Sequence, residues 1–299
     1  MKYPYLCFLI IVLFYACEEV VEVDLPETES RLVIDAVLRV DTSEVFVPIE
    51  IKVAETSSFF EENTPASLES AVIIYGLPVE GAPELFEFSF RSNLTESAPG
   101  SGIYVPDPSF STDQRIRSST LQEGFVFQFI LEHQGRRYLA VTPYRPSVAI
   151  DNLEQGEEIL FNDDDKELKI TFTDIPIEKN YYVFDFDFGE FLAVDDQFTD
   201  GQQFEFSYFH QNPLEVGQEV EVSILGADLE FYNYMDLLME QTMDDGGVFE
   251  TPASTVRGNI FDITGLDNIN IFDNVERPEV FPLGYFAVVQ TFKQRITIE

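Results

Sequence analysis

Along most of the chain, apolar and polar residues alternate with a period of two. VFVPIEIKVAE (45–55) sets Val45, Val47, Ile49, Ile51 and Val53 against Phe46, Pro48, Glu50 and Lys52. This spacing puts each set on its own face of a strand, with one face buried. RLVIDAVLRV (31–40), SAVIIYG (70–76), ELFEFSF (84–90), GFVFQFILEH (124–133) and RRYLAVTPY (136–144) are further β-branched and aromatic runs. The turn signals EGAPE, SAPGSG and HQGR separate them. Short strands with no helical stretch between them predict an antiparallel Ig-like β-sandwich over residues 31–147.

TPYRPSVAI (142–150) carries two prolines and hands over to a second β-rich unit, residues 148–299. Its strands are ELKITFTDI (167–175), NYYVFDFDFGEFLAV (180–194), QQFEFSYFH (202–210) and EVEVSILGA (219–227). In the second of these, Phe184, Phe186 and Phe188 alternate with Asp185 and Asp187. One helix interrupts them, near 228–243 within ADLEFYNYMDLLMEQTMDDGG (227–247). Asp228 suits the N-cap, Glu230 the first turn, and Gly246 or Gly247 the stop. Phe231, Met235, Leu238 and Thr242 or Met243 form its apolar stripe. The tail supplies two or three more strands ending at Ile298. The fold class is mostly β.

The start of the chain breaks this pattern. MKYPYLCFLIIVLFYAC has a lysine at Lys2, then an almost unbroken apolar run from Tyr5 to Ala16. That is the layout of a secretory signal. The run is too short for a helix that needs roughly 20 residues to span a bilayer. A cut between Ala16 and Cys17 makes residues 1–16 a lipoprotein signal peptide and Cys17 the lipidated residue. Phe14 and Tyr15 depart from the usual lipobox, and an ordinary secretory signal is the alternative. Glu18, Glu19, Glu22, Asp24, Glu27 and Glu29 make residues 17–30 an acidic tether.

Composition then narrows the function. The net charge of −38, from 17 basic and 55 acidic residues, excludes nucleic acid as a partner. It also excludes electrostatic adsorption to anionic lipid, so membrane attachment falls to the anchor. Cys7 and Cys17 are the two cysteines, and neither leaves a free thiol after processing and acylation. Thiol catalysis, zinc–thiolate sites and iron–sulfur clusters are therefore excluded.

His133 and His210, the two histidines, each follow a strand-like run and read as strand-end residues. No nucleophile elbow, zinc-protease, P-loop or dinucleotide motif occurs. A glycosidase needs two carboxylates, and 55 acidic residues nominate no particular pair. NDDDKE (162–167) and MDDGG (243–247) cluster oxygen ligands without matching a calcium loop, and read as solvated turns. No catalytic residue, cofactor or metal is expected.

A series of segments resembles a known family. After Cys17 and the acidic tether come RLVIDAVL (31–38), PASLESAVIIYG (65–76), GIYVPD (102–107) and GRRYLAVTPYRPSVAID (135–151). EFYNYMDLLMEQ (230–241), TVRGNI (255–260) and LGYFAV (283–288) follow. In order and spacing they are similar to the Bacteroidota outer-membrane lipoproteins of domain of unknown function 4249. The likeness covers nearly the whole chain after Cys17.

The resemblance implies a two-part, mostly β lipoprotein encoded beside a TonB-dependent receptor, with no enzymatic activity to carry over. TVRGNI and LGYFAV are expected to close the second unit. The stretch between them, LDNINIFDNVERPEVFP (266–282), departs from the pattern.

The expected function is a lipid-anchored accessory protein at the outer membrane and cell surface. It would work with a TonB-dependent receptor in nutrient uptake. The alternative is a stand-alone glycan- or peptide-binding surface lipoprotein, with Tyr232, Tyr234 and Phe209 as aromatic platforms. A surface hydrolase is a third, weaker option.

Overall fold

Strand β1 (Leu32–Val40) sends alternate side chains to opposite faces: Leu32, Ile34, Ala36, Leu38 and Val40 are buried and the residues between them are more exposed. The computed structural model to which it belongs describes residues 30–57, 63–160, 166–198, 200–211, 213–242, 256–265 and 281–299. After β1 come β2 (Ile51–Glu55), β3 (Thr64–Pro65), β4 (Ser70–Val79), β5 (Ala82–Glu96), β6 (Ile103–Pro106), β7 (Val126–His133) and β8 (Arg136–Arg145). Then follow β9 (Ile150–Gln155), β10 (Glu167–Thr173), β11 (Tyr181–Asp185), β12 (Phe191–Asp195), β13 (Gln203–Phe209) and β14 (Glu219–Ala227). Helix α1 (Leu229–Thr242), β15 (Ile260–Asp262) and β16 (Leu283–Thr297) complete the order.

The mostly β class holds, but the Ig-like sandwich expected over 31–147 is an eight-stranded barrel. Its strands run β16-β1-β2-β6-β5-β4-β7-β8, and β8 pairs back onto β16. The closing strand comes from the far end of the chain. β16 lies parallel to β1 from Val33↔Leu283 to Val40↔Gln290, and parallel to β8 at Val288↔Tyr144 and Val289↔Arg145. Pairing on both edges removes the open edges that two facing sheets would leave.

The barrel interior is filled. Ile34, Ile51, Ile73, Phe127, Phe129 and Phe286 are fully buried, and the rings of Phe129 and Phe286 lie 5.3 Å apart. Eight strands enclose just enough room for such side chains.

Past Gln290, β16 leaves the barrel and pairs antiparallel with β14, from Leu225↔Thr291 to Glu219↔Thr297. β11 and β12 extend this sheet, and the three-stranded sheet β13-β10-β9 faces it. Between them sits an aromatic core. Phe172 meets Tyr182 and Phe184 at ring distances of 5.5 and 5.4 Å. Helix α1 covers the outer face, packing Phe231 and Met235 on Val183, Leu225, Tyr285 and Ala287. This is why Tyr285 to Val289 are buried without a break: one face looks into the barrel and the other under the helix. Asp228 caps α1, its Oδ1 accepting from Phe231 N at 2.8 Å. Met239 is buried in the stripe where Leu238 was expected, and Leu238 is half-buried.

Two local readings change. Residues 46–50 alternate as expected, with Val47 and Ile49 buried, but they join no strand beyond a bridge from Phe46 to Arg117. Pro48 has no N–H to give a ladder. NYYVFDFDFGEFLAV, read as one strand, is a hairpin of β11 and β12. Asp187, Phe188 and Gly189 turn at φ of 70°, 53° and 81°. Phe186 stays in the core while Phe188 stands out of it. The alternation masks the turn, and the glycine was its signal.

Candidate functional site

A packed barrel leaves its rims and loops as places to bind. At the end where β1 begins, Arg31, Glu55, His133, Arg136 and Phe281 surround a cleft of about 360 Å³. β1, the end of β2, the β7–β8 turn and the approach to β16 each bring one or more of them.

His133 is fixed at both ring nitrogens: Nδ1 lies 3.0 Å from Ser67 O and Nε2 2.6 Å from Glu55 Oε1. One ring nitrogen thus faces a backbone carbonyl and the other a carboxylate. Gln134 Nε2 also donates to Glu55 Oε1, at 2.8 Å. The histidine is a clasp between β2, β7 and the segment before β4. Beside it, the guanidinium groups of Arg31 and Arg257 lie 4.8 and 5.4 Å from the centre of the Phe281 ring. Arg136 lies 3.6 Å from buried Asp262.

The described part of TVRGNI, residues 256–260, meets LGYFAV at the seam of this barrel rather than in the second body. β15 pairs with β8, and the Asn259 side chain stands in for a strand toward β16. Its Oδ1 accepts from Phe286 N at 2.9 Å and its Nδ2 donates to Phe286 O at 2.8 Å. Gly258 and Gly284 come so close that a Cβ on Gly258 would stand 1.6 Å from Gly284 O.

The other residues singled out by sequence take structural places. His210 Nε2 donates to Phe186 O at 2.8 Å, and the ring meets Tyr208 edge-on. Among the described residues, no serine hydroxyl bonds either histidine. Tyr232 packs on Tyr181 and Tyr234 on Tyr285, with ring centres 5.1 and 4.8 Å apart. Phe209 is half-buried at the end of β13. Cys17, the tether before Ser30, and the acidic stretches 162–165 and 243–247 lie outside the described residues.

One grouping that sequence did not suggest is Asp174, Asp196 and Asp200, whose carboxylate oxygens lie within 4.8 Å of one another. Hydrogen bonds across the β10–β11 and β12–β13 loops, and one from β11, hold them. Asp174 accepts from the Tyr182 hydroxyl at 2.6 Å and Gly201 N at 2.9 Å. Asp196 accepts from Asn180 N at 2.7 Å, and Asp200 from Ile177 N at 2.8 Å. This network ties together two loops that expose Ile177 and Phe198, at 92% and 86%.

A family model described as "Domain of unknown function (DUF4249)" matches residues 18–266. The chain belongs to this DUF4249 family. The match takes in every barrel strand except β16, and all of α1. No curated protein matches the chain.

Proposed function

We propose that this DUF4249 protein is a lipid-anchored, non-enzymatic accessory protein of a bacterial outer membrane, serving a TonB-dependent transporter of the Bacteroidota kind. The observation that carries the reading is the filled barrel. With Phe127, Phe129 and Phe286 fully buried inside it, the barrel has no lumen for a cargo, and recognition falls to the outer surface.

Lipid at Cys17 would hold the protein at the membrane, where two or more acyl chains anchor stably. Residues 17–30, fully extended, reach roughly 45 Å. That tether confines the body near its partner and raises the effective concentration of weak contacts. Ile177 and Phe198 offer exposed apolar tips for such contacts.

A Cys17→Ala chain is expected to leave the membrane fraction and to lose labelling by a fatty-acid analogue. Retention of both would sink the anchor.

A second reading, a stand-alone glycan- or peptide-binding lipoprotein, draws on the arginine- and phenylalanine-lined cleft at the barrel end. Saturable sugar or peptide binding by the full chain without any transporter would favour it.

A further inference from the structure

Between α1 and the β11–β12 hairpin lies a cavity of about 220 Å³ that none of the readings above uses. At its base is Glu190, 8% exposed. Its carboxylate accepts from the Tyr208 hydroxyl at 2.7 Å and from Gln211 N at 3.1 Å, both neutral donors. Among the described residues, no lysine or arginine pairs with it. Tyr208 keeps its proton: burial pushes its pKa up, and the hydrogen bond to Glu190 pushes it further. The Glu190 carboxyl thus lies where water screens it poorly and is met by neutral donors, and a carboxylate in such a place calls for a counter-charge.

Three further features favour a cation here. The cavity reaches the C-terminal turn of α1 at Met239 and Thr242, and no basic residue lies in that turn. The negative end of a helix dipole lies at its C-terminal turn and favours positive charge nearby. The walls are Phe188, Phe191, Met235, Leu238 and Met239, with aromatic faces and thioethers that suit an organic cation on an apolar stem. The chain as a whole, at −38, draws cations toward itself.

A bare metal ion is a poor fit. Calcium seeks six or more oxygen ligands, and magnesium an octahedral set of them.

We infer that this cavity is a binding site for an alkylammonium group, its nitrogen on Glu190 and its stem along the methionine and phenylalanine walls. A free amine and a lysine side chain, with its four-carbon stem, share this chemistry. The assignment stands apart from the anchoring of the chain.

The test uses methyl signals. The chain has four methionines, of which Met235 and Met239 line the cavity. The full chain in mild detergent, with labelled methionine methyls, is titrated with n-butylamine at neutral pH, and with n-butanol as the neutral counterpart. Saturable shifts of Met235 and Met239 are expected with the amine, and binding weaker by about tenfold or more with the alcohol. Glu190→Gln keeps an acceptor for Tyr208 and Gln211, so an unchanged ligand-free spectrum certifies its fold. It should weaken amine binding by about the same factor. Phe188→Ala, at a rim position 55% exposed, should weaken the amine with the core intact.

No saturable shift with butylamine, or equal binding by Glu190→Gln, overturns the assignment. A lysine-containing peptide that outbinds butylamine points to a protein partner. The reverse order points to a free amine.

Discussion

Gly284→Ala is expected to cost about 4 kcal/mol or more, enough to unfold many domains of this kind. Gly284 has a φ of +95°, where a side chain is strained, and a Cβ there would stand 1.9 Å from Ile34 O. The neighbour is backbone of β1, locked in register at Ile34↔Gly284, and cannot step aside without breaking the barrel's closing ladder. Gly265→Ala separates clash from strain: its φ is +75° with nothing within 4 Å, so about 1 kcal/mol is expected. Denaturant midpoints of the two variants give the comparison. Equal losses would mean that the close approach at the seam does not matter.

Phe286→Ala is expected to cost about 3–5 kcal/mol, the range for emptying a large aromatic side chain from a packed core. Its ring packs on Phe129 inside the barrel, while Asn259 holds its backbone in the seam. The same strand continues into the second body through Leu225↔Thr291 and onward. Loss of the barrel should therefore pull down the second body. Near-ultraviolet signals from tyrosine and far-ultraviolet signals from the sheets should fall at one denaturant concentration. Two separate transitions would show that β16 does not couple the bodies.

Much of the fold was legible because burial on one face leaves a local pattern. β1 and α1 with its Asp228 cap follow from spacing alone. The barrel does not, because its closure depends on β16 lying parallel to β1 and β8, and long-range pairing writes no local signal. The one trace is the uninterrupted run LGYFAVV, which suits a strand buried on both faces. The hairpin at Asp187–Gly189 was hidden because Phe184, Phe186 and Phe188 keep alternating into the turn.

Candidate sites were less legible still. Glu190 is one of 55 acidic residues, and only folding buries it beside a helix with no lysine or arginine pairing with it among the described residues. Asn259 sits in TVRGNI, but nothing in that string says that an amide will stand in for a strand. Cys17 is the opposite case, since the role proposed for it rests on the segment before it.

The most direct test of the proposed function is capture of the tagged native chain from outer membranes in mild detergent, with identification of what comes with it. The expected result is a TonB-dependent barrel recovered in stoichiometric amount. Reproducible recovery of the chain alone would contradict the accessory role.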